Sequence, residues 1–130
     1  MLITTCPFCG VGCSADVVKK SNKTLTVTGN PNGVNLGHLC VKGKTGLDFA
    51  TSDNRIKTPL IKKDGRFIPV SWDEALQRIA EKLSALKQDF GGNALAVIGS
   101  ARCTNEDNFL FQKFGRAVLG TNNVDNNART

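Results

Sequence analysis

The spacing of apolar residues changes from a strand-like to a helical period along the chain. In the first half, apolar and β-branched runs over 14–20 and 24–28 predict a hairpin of two short strands. A second hairpin is predicted over 60–70, because Asp64 and Gly65 form a pair suited to the positive φ of a tight turn. The runs are short, so the first half is predicted to be small, irregular and rich in β-structure.

The second half of the chain has the period of amphipathic helices. Ser71 and Glu74 have the spacing of a capping box, in which the serine oxygen accepts a hydrogen bond from the Glu74 amide. The helix that begins there is predicted to end at Gly91-Gly92, with a glycine in the left-handed αL conformation. Its apolar residues share one face and are predicted to be buried: Leu76, Ile79, Ala80, Leu83, Leu86 and Phe90.

A strand, a second helix and the start of another strand are predicted to follow. The strand covers 94–98, the helix covers 105–119 and ends at Gly120, and the next strand begins near residue 122. Five residues of this helix are predicted to face inward: Phe109, Leu110, Phe114, Ala117 and Val118. Alternating helices and strands indicate an α/β arrangement with a parallel sheet. Two strands and two helices cannot cover both faces of such a sheet, so this part is predicted to be incomplete.

Charge and hydropathy exclude several classes of protein. The formal charge is +6, but the basic residues are scattered and aromatic residues are few, so nucleic-acid binding is not expected. The longest apolar stretch, 94–98, is far shorter than the roughly 20 residues that span a bilayer. Met1–Thr5 lack the charged start of a signal peptide, so a cytoplasmic location is expected.

Five cysteines are present, and four of them have a defined spacing. Cys6, Cys9, Cys13 and Cys40 form the pattern C-x2-C-x3-C-x26-C. An odd total in a chain expected to be cytoplasmic argues against disulfide bonds. A [4Fe–4S] cluster needs four thiolates, and a short loop can supply three of them while a distant segment supplies the fourth. The spacing therefore favours one [4Fe–4S] cluster on these four cysteines.

A structural zinc site and unliganded thiols are the alternatives. Zinc also takes four thiolates, but usually from two separated C-x2-4-C pairs. Cys103 has no cysteine neighbour and is expected to be a packed thiol, and His38 is expected to bond to backbone or solvent. Lys42 lies two residues after Cys40, where its positive charge would stabilise the reduced, more negative state of a cluster.

The patterns together predict a chain of mixed α+β and α/β class with two domains. The first domain, over 1–57, is the irregular β-rich domain that contains the four spaced cysteines. The second, over 58–130, contains a hairpin and the beginning of an α/β parallel-sheet domain.

Several segments resemble the N-terminal region of molybdopterin oxidoreductases, in order and at the family's spacing. The motifs that resemble its cluster domain are Cys6-Pro7-Phe8-Cys9-Gly10-Val11-Gly12-Cys13 and Gly37-His38-Leu39-Cys40-Val41-Lys42-Gly43. Residues 55–60 and 67–75 resemble the segments that follow in the family. Residues 99–106 and 112–125 are most similar to formate dehydrogenase catalytic subunits, whereas nitrate reductases share the earlier motifs.

The resemblance implies an enzyme that oxidises formate to CO2 at a molybdenum or tungsten centre held by two pterin–guanine dinucleotides. It also implies that Cys6, Cys9, Cys13 and Cys40 hold the [4Fe–4S] cluster through which electrons leave. Lys42 matches the family's lysine between cluster and pterin and is expected to be the electron relay there. The electron acceptor is expected to be a partner subunit with iron–sulfur clusters or flavin.

In the family, a metal-ligating cysteine or selenocysteine follows the segment matched by Ala128-Arg129-Thr130. We therefore expect the chain to be inactive on formate by itself, and we hypothesise that a selenocysteine UGA codon after Thr130 was read as a stop. The alternative is that the chain was cut deliberately at this position. The nucleotide sequence after the codon for Thr130 distinguishes the two, because a stop codon other than UGA contradicts the hypothesis. The alternative functions are another molybdopterin oxidoreductase such as a nitrate reductase, a free-standing ferredoxin-like carrier, and a zinc-stabilised interaction module.

Overall fold

The computed structural model describes residues 1–22 and 24–127. Lys23 in the first predicted hairpin turn and the segment 128–130 lie outside these residues. The described residues form several strands and helices, as the mixed α and β class predicts. They divide into two units, a first of 1–55, 98–112 and the residues from Asp125 onward, and a second of 56–97 and 113–124.

The first unit contains an antiparallel sheet of three strands. These are β1 (Leu2–Thr5), β2 (Ser14–Lys19) and β3 (Leu25–Gly29), in the order β1-β2-β3. The pairs Thr5↔Ser14 and Ala15↔Gly29 set the register. Ala15 is 1% exposed, so this sheet has little room for larger side chains at its centre. The predicted hairpin of β2 and β3 is confirmed.

Two short helical segments follow the sheet in the first unit. A loop over 30–40 leads to α1 (Val41–Thr45), which begins directly after Cys40, and α1 continues into a 3₁₀ turn (Gly46–Thr51). The loop is held by backbone turns, in which the N–H groups of Gly33 and Gly37 both donate to the Asn30 carbonyl at 3.2 and 3.0 Å.

The second unit contains the predicted hairpin and the capped helix. β4 (Leu60–Lys63) and β5 (Arg66–Pro69) pair antiparallel, and the turn between them has positive φ at Asp64 (50°) and Gly65 (80°). The helix α2 (Trp72–Phe90) follows, and the Glu74 N–H donates to the Ser71 side chain at 3.1 Å, as predicted. Gly91 ends α2 with φ 77° and ψ 165°, so its φ is positive but its conformation is not the predicted αL.

The last elements are two short strands and an interrupted helix. β6 (Val97–Gly99) is preceded by a 3₁₀ turn (Gly92–Ala94), so the strand begins later than predicted. α3 (Asn105–Lys113) continues as a π-helical turn (Phe114–Leu119) that ends at Gly120, as predicted, and Gly120 has the αL conformation. β7 (Val124–Asn126) pairs with β6. The Val97 N–H donates to the Asn123 carbonyl, and further along both strands the Asn127 N–H donates to the Gly99 carbonyl. The residue numbers of the bonded partners rise together, so the two strands are parallel.

The prediction that the apolar faces of the two helices are buried is wrong for most of their residues. A small core consists of Leu95, Val97 and Leu119, and within α2 only Leu83 and Leu86 pack against it. Leu76 and Ile79 are more than half exposed. Periodicity identifies the apolar face of a helix, but it does not show whether another element covers that face.

The five residues that were predicted to face inward on the second helix are exposed, which corrects the second burial prediction: Phe109, Leu110, Phe114, Ala117 and Val118. Gly115 and Leu119 are buried instead. A π-helical turn adds one residue to the hydrogen-bonded ring, so it rotates the side chains that follow away from the regular 3.6-residue positions. A Cβ on Gly115 would lie 3.1 Å from Val97 Cγ2, so the helix approaches β6 on its glycine side.

Candidate cluster site

Three of the spaced cysteines lie in the loop between β1 and β2. Cys6 directly follows β1 and Cys13 directly precedes β2, so the sheet register sets the distance between the two ends of the loop. The Cys6 N–H donates to the Cys13 carbonyl at 2.8 Å and closes the base of the loop. Cys6 is buried, Cys9 and Cys13 are half-buried, and all three are free thiols. We call residues 6–13 the cysteine loop.

The fourth cysteine, Cys40, is the residue before α1. Its carbonyl accepts a hydrogen bond from the Lys44 N–H at 3.0 Å, and its thiol is free and exposed. A Cβ built on Gly43 would lie 3.6 Å from Cys6 Sγ, so the first turn of α1 lies against the cysteine loop. The fold of the first unit therefore brings Cys40 near the loop, although 26 residues separate it from Cys13 in the sequence.

The other spaced cysteines affect the Cys13 thiol electrostatically. Burial raises the pKa of the Cys13 thiol, and the negative charges of Cys6, Cys9 and Cys40 raise it further. A bound metal cluster would remove this mutual repulsion, because its irons neutralise the thiolates.

The beginning of α1 has the opposite effect on Cys40. The backbone N–H groups of Gly43 and Lys42 lower the pKa of the Cys40 thiol, and the Lys42 ammonium group lowers it as well. The helix cap itself contains no side-chain hydrogen bond, so we assign the effect of these amides to their dipoles and not to a well-formed bond. This end of the site favours a thiolate, which is the form that ligates iron.

Two contacts hold the cysteine loop from outside. The Asn105 side-chain amide donates to the Gly10 carbonyl at 2.7 Å, and a Cβ on Gly10 would lie only 2.5 Å from Asn105 Oδ1. The Phe8 ring meets the Phe49 ring edge to face, with centroids 6.3 Å apart. A Cβ on Gly46 would lie 2.6 Å from Phe8 Cζ, so this ring packs directly on the backbone of the 3₁₀ turn.

The other residues singled out in the sequence lie at different places. Lys42 is exposed in the first turn of α1, two residues after Cys40, and its charge acts on the Cys40 thiol. His38 is exposed, and its backbone N–H and carbonyl both bond to Asn35. Cys103 is half-buried in the loop before α3, and its N–H donates to the Ser100 carbonyl. Sequence reasoning missed the contacts of Asn35, in a loop, and of Asn105, at the start of α3, because a single asparagine has no periodic or spacing signal.

The donor set fits an iron–sulfur cluster. Within residues 1–22 and 24–127, no group of three or more His, Cys, Asp or Glu side chains is arranged to hold a single metal ion. Four thiolates are the usual ligands of a [4Fe–4S] cluster, and the four spaced cysteines supply that number of free thiols. The described helices include none that is long and apolar enough to cross a bilayer.

Comparison with known families identifies the class of protein. Residues 3–52 match the molybdopterin oxidoreductase Fe4S4 domain, and residues 55–130 match the molybdopterin oxidoreductase family. The chain therefore belongs to the molybdopterin oxidoreductases. The two matches support a [4Fe–4S] cluster and a molybdopterin as the cofactors.

Individual relatives are similar along nearly all of this chain. It is 49% identical to F420-dependent formate dehydrogenase 1 subunit alpha of Methanococcus maripaludis and 44% identical to formate dehydrogenase H of Escherichia coli. It is 47% identical to the probable oxidoreductase YjgC of Bacillus subtilis. These alignments cover 97–98% of this chain but only 13–19% of each relative. The chain thus spans less than a fifth of the length of these relatives.

Proposed function

We propose that Cys6, Cys9, Cys13 and Cys40 hold one [4Fe–4S] cluster that carries electrons for a formate dehydrogenase catalytic subunit. The observation that carries the proposal is that α1, which begins directly after Cys40, lies against Cys6 of the cysteine loop, and that all four thiols are free. They lie in the segment that matches the Fe4S4 domain of the family. When bound, such a cluster supplies one-electron transfer next to the two-electron chemistry of a molybdopterin centre.

The protein's own residues prepare this site in three ways. The Cys6–Cys13 backbone bond fixes the base of the loop, and the half-buried positions of Cys9 and Cys13 limit the access of water. The first turn of α1 stabilises the negative charge on Cys40. We assign to Lys42 the role of the relay between cluster and pterin, supported by its effect on the Cys40 thiol and by the resemblance of its motif.

The wider assignment rests on the relatives. Two of them are named formate dehydrogenases, so we propose formate as the substrate of the whole enzyme, oxidised to CO2. We also propose a molybdenum or tungsten centre with two pterin–guanine dinucleotides, a partner subunit with iron–sulfur clusters or flavin, and a cytoplasmic location. Residues 1–57 would form the cluster domain and residues 58–130 the hairpin and the beginning of the pterin-binding domain, with chemistry on formate belonging to the whole enzyme.

Metal analysis of anaerobically purified protein tests the central assignment. We expect about four iron atoms and four acid-labile sulfides per chain, and an electron paramagnetic resonance (EPR) signal after reduction with dithionite. Stoichiometric zinc without sulfide would instead show that the four thiols form a structural zinc site.

A further inference from the structure

Asn35 makes three hydrogen bonds with its side-chain amide, all inside the first unit. Its Oδ1 accepts from the Ser14 N–H at 2.8 Å, and its Nδ2 donates to the Ser14 carbonyl at 3.1 Å. The same Nδ2 donates to the His38 carbonyl at 2.7 Å. Both donors and the acceptor of the amide are thus in use, and the side chain is half-buried. No other short side chain offers this combination, because aspartate lacks the donors and serine has a single hydroxyl.

The two partners of Asn35 are next to the two separate parts of the cysteine site. Ser14 directly follows Cys13, and His38 lies two residues before Cys40. The Cys13 carbonyl is already bonded to the Cys6 N–H, whereas the N–H and carbonyl of Ser14 both bond to the Asn35 amide. The Ser14 carbonyl also accepts from the Asn30 N–H at 2.9 Å. The two bonds between the Asn35 amide and Ser14 resemble those that a residue of a neighbouring strand would make. The Asn35 side chain therefore joins the segment before Cys40 to the residue that follows the cysteine loop.

The backbone around Asn35 is bent so that His38 returns to it. Leu36 has φ 46° and Gly37 has φ 81°, two consecutive residues in the left-handed region. A leucine is rarely found there, because its Cβ crowds the backbone. The His38 N–H donates to the Asn35 carbonyl at 2.8 Å and the Gly37 N–H to the Asn30 carbonyl at 3.0 Å, so local bonds hold the unfavourable conformation.

We infer that Asn35 is a positioning residue that sets Cys13 and Cys40 at the separation a shared cluster requires. The inference rests on the proposed cluster function and deepens it. Asn35 has no contact with the thiols among its bonds, so it acts through the backbone of Ser14 and His38. Partners that orient metal ligands in this way typically change metal retention by about 10–100-fold when they are replaced.

Two variants of Asn35 and one matched control test the inference. Asn35→Asp keeps the shape but places an anion against two carbonyl oxygens, and Asn35→Ala removes all three bonds. Asn32→Ala is the control, because Asn32 is an exposed asparagine of the same loop. Among the hydrogen bonds of the described residues, Asn32 takes part through its backbone N–H and not through its side chain. Each protein is purified anaerobically and compared by iron release to a ferrous chelator, by the EPR spectrum of the reduced cluster, and by far-ultraviolet circular dichroism.

We expect both Asn35 variants to release iron about 10–100-fold faster and to show an altered EPR spectrum, with unchanged circular dichroism. Asn32→Ala should match the wild type in all three measurements. Wild-type iron release and EPR spectra in both Asn35 variants would overturn the inference. So would loss of the circular dichroism signal together with the iron, since Asn35 would then serve general stability. A wild-type protein without iron and sulfide would instead overturn the cluster assignment itself, and the inference with it.

Discussion

The Asn105 side-chain amide bonds to the Gly10 carbonyl at 2.7 Å, although 95 positions separate the two residues in the sequence. Gly10 lies between Cys9 and Cys13, so this contact connects the start of α3 to the middle of the cysteine loop. The absence of a side chain at Gly10 is what admits Asn105, because a Cβ there would lie 2.5 Å from its Oδ1.

Gly10→Ala should therefore destabilise the protein through Asn105. The added methyl group displaces the Asn105 side chain, and the loss of its hydrogen bond should cost about 1 kcal/mol. In an Asn105→Ala background the same substitution should cost much less, which urea unfolding of the four proteins in this double-mutant cycle measures. Gly12→Ala is the control: Gly12 has φ 74° and open space around its Cβ position, so its cost comes from the backbone and should not depend on residue 105. Equal costs of Gly10→Ala in both backgrounds would contradict the contact.

Serine substitution separates the four proposed ligands from the fifth cysteine. Replacing Cys6, Cys9, Cys13 or Cys40 removes one thiolate, so each variant should lose the four-iron cluster during anaerobic purification. Cys103→Ser is the matched control and should retain wild-type iron and sulfide, because Cys103 lies in the loop before α3. Equal iron loss in Cys103→Ser would falsify the ligand assignment.

The thiols of the cluster-free protein should ionise at different pH values. Nearby amides and Lys42 lower the pKa of Cys40, whereas burial and neighbouring thiolates raise the pKa of Cys13. The thiolate is the reactive form, so as pH rises Cys40 should reach its maximal alkylation rate before Cys13. Mass spectrometry of iodoacetamide-treated protein at a series of pH values measures both profiles. Lys42→Gln should shift the Cys40 profile to higher pH and leave that of Cys13 in place; coincident profiles in the wild type would contradict the prediction.

The same shifts affect the stability of the cluster-free protein with opposite signs. Because the pKa of Cys40 is lower in the folded than in the unfolded protein, this thiol stabilises the folded state at pH values above its pKa in the unfolded protein. That stabilisation is lost as the pH falls through the pKa of Cys40 in the folded protein. Because the pKa of Cys13 is higher in the folded than in the unfolded protein, its contribution to the free energy of unfolding is fully present at pH values below its pKa in the unfolded protein. That contribution is lost as the pH rises through the pKa of Cys13 in the folded protein. A Cys13→Ser variant should therefore lose less stability than the wild type as the solution becomes alkaline, which urea unfolding of both cluster-free proteins at a series of pH values measures. An equal loss of stability in the two proteins would contradict the raised pKa of Cys13.

Gly46→Ala should disturb the cysteine loop through the Phe8 ring. The new Cβ would lie 2.6 Å from Phe8 Cζ, and overpacking of this kind costs about 1–3 kcal/mol. We expect lower unfolding free energy and faster iron release, and a smaller effect in a Phe8→Leu background. Gly65→Ala is the control: its positive φ should make it costly by about 1–2 kcal/mol, but it should leave iron release unchanged. An effect of Gly46→Ala that is independent of residue 8 would argue against this packing.

Lys42 should influence the reduction potential of the bound cluster. Reduction adds negative charge near its ammonium group, so Lys42→Gln should make the midpoint potential more negative, and Lys42→Arg should largely restore it. Lys44→Gln changes the net charge by the same amount two residues further along α1 and serves as the control. A redox titration followed by EPR checks the order of the potentials, and equal shifts for Lys42→Gln and Lys44→Gln would remove the special role of Lys42.

Local chemistry explains which structural predictions are confirmed. The Ser71 cap, the Asp64-Gly65 turn and the helix end at Gly120 each depend on a few adjacent residues, and the structure contains all three. The burial of Leu76 and Phe109 was predicted wrongly, because burial depends on elements that are distant in sequence. The π-helical turn after Lys113 was also not predictable from periodicity, since it changes the face that the helix presents to β6.

The sequence by itself determined which side chains can supply the chemistry, because C-x2-C-x3-C places three thiols in one short loop whatever surrounds it. The tertiary structure decided how that loop is held. Asn105 bonds to Gly10 inside the loop across 95 positions, and Asn35 bonds to Ser14, the residue after the loop, across 21 positions. Gly10 and Gly46 leave the space for Asn105 and Phe8. These contacts join backbone groups to side chains from distant segments, and such pairings leave no pattern in the local sequence because only the folded chain brings the partners together.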